Sequence, residues 1–369
     1  MGLTSRRAFL AAGLPALQIG RAAGKGQQFP GEARRYPDPL TDREVWRLTG
    51  LANPHFLPPN HQRFAAQKNG FLLLAGRRTG DTQIYRLELP SGRMAQLSQG
   101  PGLAPFSICL APDEKSLFFL QNGTLKHMGL RTLREREIHR IEDGWRATGE
   151  MSVSIDGRYA AVVVEDGKSL YRIVVVETLK GKNWVVAEDK VRLVRPQLRP
   201  KRDQVLYSQQ QPARLWLVNL DGKQKQSVRP RQGDEEIGPE YWTGDGKLLG
   251  YSHYPDQTRR RATLRTFSPD TREEKTLAKC TQFWSAMGNA DNSAIVGESR
   301  SKAGPNIYVL FPLIEREITV CEHFSSRSGE EVEPRPAFSP DSQWIYFTSD
   351  REGAPAVYRA GVADWVEKT

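Results

Sequence analysis

One block of residues recurs about seven times along this 369-residue chain, and that repetition limits what it can fold into. Each copy has a small residue, Pro or Ser, an Asp, an apolar strand, a polar turn with Gly, and a second strand bearing an aromatic and a charge. The best copy runs from Phe338 to Val362, with weaker ones from Leu110, Val153, Arg199, Trp242 and Asn289. A period of roughly 40 residues built only from strand pairs and turns predicts an all-β, seven-bladed β-propeller with one four-stranded sheet per copy. The copies begin near Phe64, Phe106, Glu150, Pro196, Pro239, Trp284 and Arg335. The last, Arg335 to about Trp365, is one strand short, whereas Arg43 to Gly50 is a lone strand ahead of the first full copy. The N-terminal strand is therefore expected to complete the last blade and close the ring, which hides edges that an open array leaves unpaired.

The length alone is compatible with two domains, but no Pro/Ser/Gly linker interrupts the repeats, so residues 27–369 read as a single propeller domain. Residues 1–26 read as an export signal. Arg6-Arg7 is followed by Phe9-Leu10 and a modest apolar stretch ending in small residues near Ala22-Ala23, the pattern of a twin-arginine leader. That predicts an exported protein, periplasmic or secreted. The formal charge is +10, and loss of Arg6, Arg7 and Arg21 leaves about +7, a balance that suits an acidic partner. The basic residues are scattered, without the stripe or stacked aromatics of a nucleic-acid binder. Cys109, Cys280 and Cys321 are too few and too separated for a disulfide framework or a cysteine-rich zinc site. No apolar run reaches the ~18 residues a spanning helix needs.

Propellers place function where loops converge on the central channel, so the chemistry must come from residues far apart in sequence. The six histidines, His55, His61, His127, His139, His253 and His323, show no metal-ligand spacing. A nucleophile elbow of the Gly-x-Ser-x-Gly type is missing, and so is a phosphate-binding glycine loop.

Five segments, from Ala52, Pro212 to Lys223, from Pro239, Val320 to Arg327, and from Pro334, together resemble the oligogalacturonate lyase family. The resemblance covers about Asp42 to the C-terminus. It implies a seven-bladed propeller, related in blade sequence to that of TolB, that cleaves acidic oligosaccharides of pectin by β-elimination. Such a reaction needs a base for the proton alpha to the uronate carboxylate and a positive group to neutralise the enolate-like charge. In the family a manganese ion held by three His and one Gln, a separate His and an Arg supply these. The resemblance places the Arg at Arg214, whose planar fork suits a carboxylate.

The other positions depart from the family. Pro239, before Glu240-Tyr241-Trp242, stands where the base His belongs, and Gln282, Glu330, Glu333 and Arg335 stand at the metal positions. No metal cofactor is expected from such a set. Two arrangements follow. In one, Arg214 and Arg335 clamp a uronate carboxylate, with Gln282, Glu333 and His323 in the binding site and Tyr241, Glu240 or His253 as proton acceptor. In the other, Glu330, Glu333 and Arg335 form a closed ion-pair network and the protein is a silent propeller that binds saccharide, or a protein partner, on its face.

Overall fold

The computed structural model describes residues 24–68, 70–210, 214–228, 233–256, 262–280 and 283–369; the Arg6-Arg7 leader and Gln282 lie outside them. Seven antiparallel sheets of four or five strands make up the molecule. Six are built in turn along the chain, the first also taking the N-terminal Gln28–Phe29 as its outer strand, the second running from Leu103–Leu110 to Glu135–Arg140 and the third from Arg146–Val153 to Asn183–Asp189. The seventh takes Ala337–Phe338, Trp344–Ser349 and Ala356–Gly361 from the end of the chain and Glu44–Arg47 from its beginning. The predicted closure is therefore present, with Val45 opposite Ala360 and Arg47 opposite Tyr358. It is thicker than expected, because Arg34–Pro37 adds a fifth, outer strand and pairs with Glu44–Arg47.

Closure is also a packing event. Val45 is fully buried among Ile345 and Tyr358 of its own blade and Ile307 and Val309 of the sixth. Each such aliphatic side chain contributes about 1.5–3 kcal/mol on burial, so the first and last segments of the chain hold each other in place.

The recurring Asp has a local cause. In the best copy Asp341 accepts hydrogen bonds from the Ser339 hydroxyl (2.7 Å) and the Gln343 amide (3.2 Å), while the Ser339 hydroxyl accepts from the Trp344 amide (2.9 Å). Asp156 with Ser154 and Asp245 with Thr243 repeat the device. The residue after each Asp is left-handed: Gly157 at φ +74°, Gly246 at +71° and Ser342 at +61°. Side-chain oxygens thus satisfy the turn between the innermost strand and the next, which is the known preference of Ser, Thr and Asp in turns. The fourth blade lacks the Asp, and there the left-handed backbone falls on Lys201, at the Asp's own position, with φ +59°.

The candidate functional site

Each innermost strand enters the channel at one mouth and leaves at the other. At the first mouth the strands of several blades bulge: the register slips between Ala104 and Cys109, Ala147 and Met151, Val194 and Gln197, and Phe283 and Ala286. A bulge frees residues from the ladder and re-aims their side chains. The freed residues include Phe106, Glu150, Arg195 and Trp284, all of which line a cavity of about 490 Å³.

The cavity draws on all seven blades. Arg192, Arg195, Arg300 and Arg335 supply positive charge and Glu150, Glu298, Glu330 and Glu333 supply carboxyls, with His61 and Pro239 on the wall. Arg335 pairs with Glu330, and its guanidinium lies 5.3 Å from the Phe106 ring centre. Arg300 stacks 3.6 Å over Trp284, with a nitrogen 3.8 Å from Glu333. Behind them Arg327 reaches Glu333 at 2.6 Å and Glu298 at 3.0 Å, and Glu298 also accepts from the Ser285 hydroxyl. Arg195 lies 3.3 Å from the buried Glu240 carboxylate and donates to its carbonyl at 3.1 Å. Glu150 accepts a hydrogen bond from the Arg195 backbone amide.

Backbone strain gathers at the same place. Arg195 (φ +54°), Arg327 (φ +54°) and Arg335 (φ +41°) are left-handed residues with full side chains. Each costs of order 1–3 kcal/mol and persists only where surrounding contacts over-determine it. The charges are displaced as well. Burial, reinforced by Arg195, pushes Arg335 down to about 10, so it stays a cation at neutral pH. Burial raises Glu150 and Glu298 above the ordinary carboxylate range. It also holds His61 well below the usual imidazole value, helped by Arg195 and Arg335. Burial thus strengthens the hold of both carboxyls on a proton, while Arg335 remains a cation in the cavity wall.

Of the residues singled out in the sequence, the fold brings Glu330, Glu333 and Arg335 together here. It does not bring Arg214 with them: Arg214 begins the strand Arg214–Asn219, is exposed, and is not among the cavity-lining residues, although Gln210 across the same hairpin is. Tyr241 is buried at the other mouth, its ring filling the space that a side chain on Gly250 would need. His253 is buried in the fifth blade with Nε2 2.9 Å from Glu235. His323 spends both ring nitrogens on the backbone, donating to the Ser299 carbonyl (3.0 Å) and accepting from the Ser325 amide (3.0 Å). Glu240 is likewise buried, beneath Arg195. Tyr241 and His253 sit within strands and Glu240 and His323 directly beside strand ends, and in each case packing or a hydrogen-bonded partner claims the side chain. Arg192, Arg195, Arg300 and the carboxylates Glu150 and Glu298 were not singled out, although Glu150 marks the start of one repeat copy and Arg195 directly precedes another.

Of the residues at the family's metal positions, Gln282 lies outside the described residues and the others are engaged in ion pairs. Glu330 and Glu333 are engaged by guanidiniums, and Arg335 itself is a cation. Among the described residues no group of three or more His, Cys, Asp or Glu side chains is placed to hold a metal ion. Carboxylates already neutralised by arginine, beside a further positive charge, do not fit a divalent metal.

A seven-bladed propeller with a charged, arginine-rich pocket at one channel mouth is the class of protein that fold and site define. The particular family follows from comparison: the oligogalacturonate lyase model matches residues 23–366, and the chain belongs to that family. It is 27% identical to the oligogalacturonide lyase of Pectobacterium atrosepticum and 26% identical to the oligogalacturonate lyase of Dickeya dadantii, in each case over 93% of this chain and 99% of the relative. A solved oligogalacturonate lyase in complex with manganese superimposes with a TM-score of 0.86 at 26% identity, over 92% of this chain and 98% of that one. The Vibrio parahaemolyticus oligogalacturonate lyase also gives 0.86, at 25% identity.

Proposed function

We propose that the charged mouth binds acidic oligosaccharides of the galacturonate type and cleaves them by β-elimination, with guanidinium groups in place of a metal. The observation that carries this reading is the gathering of four arginines from the fourth, sixth and seventh blades around one cavity. A guanidinium matches a carboxylate in charge and planar geometry, and pairing it with the uronate stabilises the enolate-like charge that forms when the alpha proton leaves. Phe106 and Trp284 offer apolar surface for a sugar ring beside those cations.

The test is an absorbance assay for unsaturated uronate products on a panel of acidic oligosaccharides, with manganese and with a chelator. Turnover that neither addition changes is the expected result. Turnover only with manganese overturns the metal-free reading. Pro239 on the wall supports one competitor, a propeller that binds without turning over; calorimetric binding with no unsaturated product selects it. We also propose export through Arg6-Arg7, tested by replacing both with Lys and locating the protein. No helix of the described residues is long and apolar enough to cross a membrane.

A further inference from the structure

Four carboxyls line the charged mouth, and three are committed to structure. Glu330 pairs with Arg335, Glu333 with Arg327 at 2.6 Å, and the fully buried Glu298 with Arg327 and Ser285. Glu150 differs. One of its oxygens, Oε2, takes the backbone amide of Arg195, and the other, Oε1, lies 3.9 Å from Arg192, beyond hydrogen-bond reach. Its strand bulges at this point, which turns the side chain into the cavity.

Resting on the β-elimination reading, we propose that Glu150 is the proton acceptor of the reaction, working beside the arginines that hold the uronate carboxylate. Oε1 takes the proton from the carbon alpha to that carboxylate. The electron pair of the broken C–H bond forms the new C=C bond, the adjacent C–O bond breaks, and the glycosidic oxygen leaves with its electrons and is protonated by water. Glu150 then returns its proton to solvent. Its proton affinity is raised, first by burial and against the pull of Arg195, Arg192 and Arg335, which makes it a stronger base than a solvated carboxylate. His61, in the same cavity, is held neutral and adds no competing charge.

Glu150→Gln is the sharp variant, because an amide oxygen can still accept the Arg195 amide while the group can no longer take a proton. We expect kcat to fall by about 10²–10⁴-fold, with KM and the calorimetric Kd for oligogalacturonate within threefold. In the parent protein the rate should fall as the pH drops through the raised Glu150 value, where the carboxylate is protonated, and Glu150→Asp should recover part of the loss. An active parent protein with an equally active Glu150→Gln variant overturns this assignment and leaves the β-elimination reading intact. So does an inactive His61→Asn beside an active Glu150→Gln. A parent protein that gives no unsaturated product from any substrate overturns both.

Discussion

The two mouths of the channel are made by the same inner strands a few residues apart, yet their chemistry differs. Residues 148–151, 192, 194–196, 239 and 284–285 face the charged mouth, and residues 152–153, 155, 197–198, 200, 241–244 and 287 face the other. The second mouth is smaller, about 190 Å³, and among the described residues lining it Arg63 is the only one with a formal charge, the shared His61 being neutral. At the first mouth the strands bulge and two arginines, Arg195 and Arg335, take the left-handed backbone; at the second, Ser, Thr and Asp close turns whose left-handed residue is small, Gly157, Gly246 or Ser342. A repeat that satisfies its own turn has nothing left to offer a ligand. Irregular backbone, by contrast, delivers side chains that only the neighbouring blades can partner.

Substitutions that remove the foundations of each mouth should give the largest contrast. Glu298→Ala strips a fully buried carboxyl from Ser285 and Arg327 and should cost about 3 kcal/mol, the low end for breaking a buried pair, since Arg327 keeps Glu333. Thr243→Ala at the other mouth should cost about 1.5 kcal/mol, the low end for a hydrogen bond to a charged group, since the Asp245 carboxylate it serves is solvent-exposed. Denaturant titration measures both, and equal losses would erase the distinction.

Binding comes next. Arg335→Ala or Arg195→Ala should each weaken oligogalacturonate binding by roughly ten- to a hundredfold, the value of one charge-assisted hydrogen bond of about 1.5–3 kcal/mol. Arg335→Lys should recover only part of it, because an ammonium keeps the charge but not the fork. Arg63→Ala at the opposite mouth should stay within about twofold, since its charge faces no paired site. Calorimetry that finds Arg63 as important as Arg335 would move the binding site to the wrong end of the channel.

The last effect vanishes at neutral pH and grows in acid, and it comes from outside both mouths. His323 is held near 4, chiefly by burial, and His55 likewise, so both are neutral when folded and take up protons below pH 6.5 only when unfolded. Stability should therefore be full above about pH 6.5 and decline by about 1 kcal/mol per pH unit and histidine toward pH 4. Acid melts of His323→Gln should show a shallower slope, with the His55 share remaining. An unchanged slope would mean that neither mouth is insulated from the titrations seen in acid.

Much of the architecture was legible in the repeat. Alternating apolar strands, the Asp-centred turn and the lone N-terminal strand each encode a local preference, and their sum predicts seven blades and the closure through Val45. The phase of the repeat held more than it was credited with: Phe106, Glu150, Pro196, Pro239, Trp284 and Arg335, each near the start of one copy, all line the charged cavity. In six of the seven copies the residue at this phase reaches the same mouth; the first, Phe64, packs in the core instead.

Residue type alone misled where it was weighed without that phase. Tyr241, His253 and His323 looked like chemistry because of what they are, and the blades use them as packing and backbone partners. The sequence determined the strand order, the turn geometry and the set of residues that could face the channel, because these depend on near neighbours. Only the tertiary structure decided which guanidinium meets which carboxyl. Arg327 meets Glu298 and Glu333 across 29 and 6 positions of chain, and Arg195 meets Glu240 across 45, because closing the ring fixes the spacing of the blades and strands that present them.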